Sequence, residues 1–241
     1  MQYLCEKNYE KMNTIGLGNA LVDVLLRLEN DDVLSEIGIQ KGAMDMINRE
    51  QMIAIRTTLA GLPRTQTPGG SVCNTMRSMS SLGANSGFIG KIGDDSIGGF
   101  YEDALEKAGV TSYFIKTDGL TGSCTVMISP DGERTMGTFL GPAPTITPDE
   151  ITEEMLSKYQ CIYIEGYLLV NEPLVRSTME KAKKLGLKVA LDLSNFNIVN
   201  AFKCWRISFL NMWIFCSLMR VRLRLLPGKR LLRPYIPCLS W

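Results

Sequence analysis

The 241-residue sequence predicts an α/β fold: a doubly wound, mostly parallel sheet with a small β lid, truncated at its C-terminal side. Short apolar runs that suit buried strands alternate with stretches of helical periodicity, the order that builds parallel βαβ units. Among those units sits a strand-turn-strand pattern around Pro130-Asp131-Gly132, a hairpin signal inside an otherwise α/β order. Past Lys203 the alternation ends and the composition changes abruptly.

The elements follow in order. Asn13 to Leu28 begins Thr-Ile-Gly-Leu-Gly-Asn-Ala-Leu-Val-Asp-Val-Leu-Leu, an apolar run with small residues that suits a buried first strand continuing into an edge or lid strand. Leu34 to Met46 carries short strand and turn signals around Gly38 and Gly42. Arg49 to Leu62 has helical spacing, with Met52, Ile53, Ile55 and Leu59 able to share a face. Cys73 to Leu82 reads as a helix after a Gly-Gly turn, Ser86 to Ile92 as a strand, and Ile97 to Ala108 as an amphipathic helix closed by Gly109. Ser123–Ser129 and Arg134–Leu140 flank the hairpin turn and predict the lid. Cys161–Ile164, Glu172–Leu185 and Lys188–Asp192 then form a strand-helix-strand unit of Rossmann-like topology, which puts the ligand at the carboxyl ends of the strands. The expected organisation is an extension over residues 1–11, one α/β domain over 12–203 with lid insertions at about 24–48 and 112–141, and a tail over 204–241.

Composition narrows the chemistry. The net charge is +1 and the hydrophobic content 45%, which fits one soluble unit with a real core. The chain has no histidine, so Ser-His-Asp and Cys-His nucleophiles, histidine proton shuttles and His-ligated zinc are excluded. Chemistry must rest on carboxylates, amides and backbone. The seven cysteines show no C-x-x-C spacing and read as reduced, mostly buried thiols of a cytoplasmic protein.

The motifs point to a polyol. In Pro68-Gly69-Gly70-Ser71-Val72-Cys73-Asn74-Thr75 the two glycines let the backbone approach a ligand, and Asn74 on the following helix can aim its amide at the same spot. Gly16-Leu17-Gly18-Asn19-Ala20-Leu21 lacks the third glycine of a dinucleotide fingerprint, and no G-x-x-x-x-G-K-[ST] run exists. Asp95, in Gly93-Asp94-Asp95-Ser96-Ile97-Gly98, reads first as a helix cap.

Together these runs resemble the ribokinase-like (PfkB-type) carbohydrate and nucleoside kinases, nearest their adenosine-kinase-like branch, over about Met12 to Lys203. The resemblance implies ATP-dependent phosphorylation of a hydroxymethyl group, with ATP and Mg²⁺ as cofactors and a sugar or nucleoside as the small-molecule partner. It implies substrate contacts from Asn19 and Asp23 of the first strand and from Gly69, Gly70 and Asn74 of the Gly-Gly turn, converging beneath the Pro130–Gly132 hairpin. A carboxylate that accepts two hydroxyl protons orients a ribose well. Asn195 and Asn197, after the Asp192 strand, stand between a phosphate-facing position and a plain loop. Tyr163-Ile164-Glu165-Gly166-Tyr167 also looks adenosine-kinase-like. The family's catalytic base lies in a Gly-Ala-Gly-Asp motif, and no such run occurs in this sequence. The resemblance calls for no nucleic acid, membrane or protein-held metal, and leaves room for a homodimer through the lid.

The tail has two readings. Cys204 to Trp241 holds all three tryptophans, seven of the 26 basic residues and none of the 25 acidic ones, so the first 203 residues are net −6 and the tail +7. One reading is a membrane-surface segment, since Ile207 to Met219 is apolar but shorter than the roughly 20 residues that span a bilayer. The other is a shifted reading frame. Taking the last base of one codon with the first two of the next forces Val from Met212-Trp213, Asp from Trp213-Ile214 and Leu from Phe215-Cys216. Permitted codons elsewhere then give YVDILFANEGEAKAFTGKE, an apolar strand before an acidic helix start that contains the family's N-x-x-E. On this reading the tail does not dock in the sheet, and the chain is a substrate half without its catalytic half. A non-catalytic binding fragment is the alternative for the whole.

Overall fold

The computed structural model describes residues 12–192, residue 198 and the backbone of residues 214–217. Strand β1 (Thr14–Leu17) lies in the middle of a sheet in which every pairing is parallel. Its neighbours are β5 (Ser86–Gly93) and β9 (Cys161–Ile164). Outside these lie β6 (Val110–Thr117) on one side, and β10 (Lys188–Asp192) with β11 (Ile214–Ser217) on the other.

Alternation along β1 explains how both faces are filled. Ile15 and Leu17 enter one core with Leu174, Val175, Met179 and Ala182 of helix α6 (Glu172–Lys184). Gly16 faces the other way, where a Cβ would stand 2.5 Å from Val72 and 2.8 Å from Met76 of helix α3 (Ser71–Ser81). On that second face Phe88, Tyr101 and Leu105 pack with Val72, Cys73 and Met76, and helix α4 (Ser96–Lys107) closes the layer. Asp95 is the cap expected of it, accepting from Gly98 N at 2.8 Å and also binding Thr121.

The lid leaves the main sheet at Gly18–Ala20, where the chain turns from β1 into β2 (Leu21–Arg27). Its five strands run in the order β3 (Met44–Met46), β8 (Arg134–Phe139), β7 (Gly122–Ile128), β2, β4 (Arg64–Pro68). One face packs on helix α2 (Arg49–Thr58) through Leu26, Met127, Ile55 and Leu59, together with Leu34 of the short helix α1 (Asp32–Glu36). A reciprocal cap starts α2: Asn48 accepts from Gln51 N, and the Gln51 side chain accepts from Asn48 N.

Two boundaries differ from the sequence expectation. Residues 110–117 belong to the main sheet, because β5, α4 and β6 make a parallel crossover with eight paired residues. Residues 64–68 add an unexpected lid strand whose Arg64, Thr65 and Gln66 are exposed, so no apolar alternation announces it. The tail is a third difference. It was expected to stay out of the sheet, yet Ile214–Ser217 pairs parallel to β10 from Val189↔Ile214 to Asp192↔Ser217. A bare strand edge accepts any short extended run, and an apolar one suits it.

Candidate functional site

The cleft forms where β1 hands over to β2, beside the Gly-Gly turn at the head of α3. The turn requires glycine: Gly70 has φ +91, and a Cβ there would meet the Asn19 carbonyl at 2.6 Å. At Gly69 a Cβ would lie 2.5–2.6 Å from all three atoms of the Asp23 carboxyl group, so only glycine lets that carboxylate rest on the turn. Gly69 N–H donates to Leu21 O at 2.7 Å, which ties the turn to the first lid strand.

Asp23 is half-buried, and burial pushes its carboxyl above the ordinary range. Among the described residues no donor reaches it. A desolvated carboxylate without a partner is costly to the fold, and such groups concentrate at functional sites.

Asn19 is 4% exposed and its amide is engaged by the protein itself. Asn19 Nδ2 donates to Glu165 Oε1 at 2.8 Å and Asn19 N donates to Glu165 Oε2 at 3.2 Å, while Asn19 Oδ1 is buried without a partner. Glu165, at the carboxyl end of β9, is 3% exposed and also accepts from the Val72 backbone at the start of α3. Its carboxyl is pushed up to about 7, first by burial and then against the hydrogen bonds from Asn19. Gly18 makes room for it, since a Cβ there would stand 2.6 Å from Glu165 Oε2. Sequence reading passed over this residue, noting only the surrounding Tyr163–Tyr167 stretch. The available signal was an acid directly after a buried strand, at the carboxyl end of a parallel sheet.

The structure brings Asp23, Asn19, Gly69 and Gly70 together. Asn74 lies on the first turn of α3 and is exposed, donating its N–H to Gly70 O at 3.0 Å and accepting from Arg77 Nη1 at 3.5 Å. Neither bond links it to Asp23. The expected roof is displaced: Asp23 pairs with Cys124 at the root of the lid, while Pro130–Gly132 caps the far end of the hairpin, roughly 20 Å along the strands at 3.3 Å per residue. Asn195 and Asn197 lie outside the described residues.

The lid face that carries Asp23 is read directly from register. Across the sheet run Met46, Thr138, Cys124, Asp23 and Thr67, and in the next row Met44, Met136, Val126, Leu25 and Thr65. Met44 and Met46 are 56% and 62% exposed. Beyond the carboxylate, the face carries Met44, Met46, Met136, Val126, Leu25 and Cys124, with Thr138, Thr67 and Thr65 as its hydroxyl-bearing positions. In the core behind the turn, Cys73 is fully buried, and that burial pushes its thiol up to about 11, so it offers no thiolate at neutral pH.

Comparison with known proteins places this architecture. The family model described as "pfkB family carbohydrate kinase" matches residues 43–202. "Probable fructokinase-3" of Arabidopsis thaliana is 29% identical over 157 residues, covering 59% of this chain and 45% of that protein. "Fructokinase" of Klebsiella pneumoniae is 29% identical over 134 residues, covering 53% of this chain and 43% of that one. The chain thus spans about half the length of the curated relatives it matches. Among solved structures, the adenosine kinase from Sinorhizobium meliloti superposes with a TM-score of 0.70 at 28% identity, covering 83% of this chain and 62% of that one. The probable sugar kinase from Rhizobium etli CFN 42 shares the fold, with a TM-score of 0.71 at 24% identity.

Proposed function

The chain belongs to the pfkB family of carbohydrate kinases, and on that premise we propose that its cleft binds a nucleoside for ATP-dependent phosphorylation at a hydroxymethyl group. The observation that carries the substrate half of this reading is the Asp23 carboxylate, desolvated, unpartnered among the described residues and resting on Gly69. It accepts from ligand hydroxyls and fixes the sugar ring against the Gly-Gly turn.

The lid face argues for a nucleoside over a free sugar. A hexose carries hydroxyls around its ring and leaves them unpaired against Leu25, Val126, Met136, Met44 and Met46. A ribose on Asp23 with a flat, weakly polar base against those side chains matches polar to polar and apolar to apolar, and methionines adapt to such a base. The similarity to the Sinorhizobium meliloti adenosine kinase supports the same choice.

Within the family the donor is ATP with Mg²⁺. No group of three or more Cys, Asp or Glu among the described residues fits a metal ion, and no step is derived through one. What the chain's own residues do is bind, orient and shield: Asp23 accepts, the glycine turn lets backbone come close, and the lid strips water from the ligand. No helix among the described residues is long and apolar enough to cross a membrane, and the buried free thiols Cys73, Cys124 and Cys161 suit a cytoplasmic setting.

The test is calorimetric titration of the chain with adenosine, D-ribose and D-fructose, beside a coupled ADP-release assay. Adenosine is expected to bind most tightly. Turnover is expected to be negligible for these 241 residues, which hold no Gly-Ala-Gly-Asp run. Fructose binding at least as tight as adenosine overturns the substrate assignment. Turnover near 1 s⁻¹, on the order of ordinary kinases, overturns the expectation of inactivity.

A further inference from the structure

We infer that Tyr101 is a positioning residue of the cleft: its buried hydroxyl fixes the Gly69–Gly70 peptide so that the Gly70 N–H is presented to a ligand hydroxyl beside Asp23. This inference rests on the proposed cleft.

Tyr101 sits in α4, fully buried, and its hydroxyl donates to Gly69 O at 3.0 Å. The ring has little freedom. It packs edge-on against Phe114 with centroids 5.7 Å apart and tilted against Phe88 at 6.0 Å. The hydroxyl also contacts the Cys73 thiol, so it lies between that thiol and the turn. A phenylalanine would fill the same volume without a polar atom to satisfy, so a tyrosine here is accounted for by what its oxygen holds.

What it holds is one peptide plane. The chain contains no cis peptide among its described residues, and in a trans peptide the carbonyl and the following N–H point in opposite directions. With the Gly69 carbonyl drawn toward Tyr101, the Gly70 N–H points away from α4. That N–H has no partner among the described residues, whereas the Gly69 N–H is taken by Leu21 O. An acceptor (Asp23) and a donor (Gly70 N–H) thus stand side by side, the pair a sugar hydroxyl needs. Glycine at position 70 has no Cβ to hold its own plane, so an external anchor is required.

The experiment is amide hydrogen exchange and ¹H–¹⁵N spectroscopy on the full chain, on Tyr101→Phe and on Cys73→Ala, each free and with adenosine. Without ligand, the wild-type Gly70 amide should exchange much faster than core amides, and its signal should move in Tyr101→Phe but not in Cys73→Ala. Adenosine should slow that amide in the wild type and not in Tyr101→Phe, whose affinity should fall about tenfold, as expected for one mispresented hydrogen bond. Cys73→Ala should stay within about twofold of wild type on the same scale. A Gly70 amide indifferent to Tyr101→Phe, or equal affinity in both proteins, overturns the inference. Should Tyr101→Phe fail to fold, the wild type still decides, because slow exchange at Gly70 without ligand means the N–H is bonded within the fold and rejects the assignment. If adenosine and ribose both fail to bind the wild type, the proposed cleft falls, and the ligand-free comparison separately decides whether Tyr101 orients the peptide.

Discussion

Glu165 should make the protein less stable as pH rises through neutrality. Its carboxyl is pushed from 4.5 to about 7 in the fold, so between those values the folded state holds a proton that the unfolded state has released. Its contribution to stability is therefore complete below about pH 4.5 and is lost as pH climbs through 7. Integrated from pH 5 to pH 8, the loss is about 2.5 kcal/mol at 1.36 kcal/mol per pH unit. For a chain of this size that lowers the melting temperature by roughly 5–10 °C. Nearby Asp192 pushes in the same direction, while the donors Asn19 and Val72 oppose it. The neutral form is also well served: a half-turn of the Asn19 amide brings its unpartnered Oδ1 to face the Glu165 hydroxyl. Asp31, Asp131 and Glu150 are all held below their ordinary values and act at lower pH with the opposite sign. The assay is melting by circular dichroism at pH 5, 6, 7 and 8 for the wild type and Glu165→Gln. The variant starts lower, because its amide turns one hydrogen toward the Asn19 N–H, but it should slope far less across this range, with only the same-sign contribution of the half-buried Asp23 remaining. Parallel slopes in the two proteins would refute the reasoning.

Asp23→Asn should abolish adenosine binding while leaving the melting temperature unchanged or raised, since it removes a desolvated charge that the fold does not pair; differential scanning fluorimetry with calorimetry separates the two effects. Gly69→Ala should weaken binding at least tenfold with little loss of stability, because its Cβ displaces the Asp23 carboxyl, whereas Gly70→Ala should cost about 2 kcal/mol or more through its φ of +91 and the clash with Asn19 O. Comparable melting temperatures for these two alanine variants would contradict the contrast. Deleting residues 204–241 should cost about 1–2 kcal/mol from the lost β10–β11 pairing, read as a urea midpoint shift, and outright unfolding would make the tail indispensable.

The parts of this molecule that could be read in its sequence are those where local chemistry and the final fold agree. Gly69-Gly70 is legible because only glycine allows φ +91 and a carboxylate against the turn, and Asp23 because an acid inside an apolar strand has few structural uses. The hairpin was legible from Pro130-Asp131-Gly132, and Gly132 duly has φ +87. β4 was not, since Arg64-Thr65-Gln66-Thr67 earns its place by pairing with β2 on a sheet edge and its exposed side chains carry no period. Glu165 and Tyr101 were not legible as site residues for a different reason. Each acts across more than thirty positions, on Asn19 and on Gly69, and no spacing within a motif encodes a contact of that range.

The tail strand bears on how much a sheet edge demands of its sequence. β10 is covered on one side by β9 and needs a partner on the other, and the ladder it offers is backbone N–H and C=O, indifferent to side-chain identity. In frame, residues 212–216 read Met-Trp-Ile-Phe-Cys; in the shifted frame the same codons give Val and Asp, a permitted Ile, and then Leu. Both are short, mostly apolar runs at the same distance along the chain from β10, so either can pair its backbone with that edge. The pairing from Ile214 to Ser217 therefore follows from position and apolarity alone, and it is compatible with either origin of the tail. What separates the two readings is the sequence just beyond, which reads Arg220, Arg222 and Arg224 in frame and Asn-Glu-Gly-Glu in the shifted frame: cationic side chains attract phosphate as point charges, whereas an amide and carboxylates can ligate a cation.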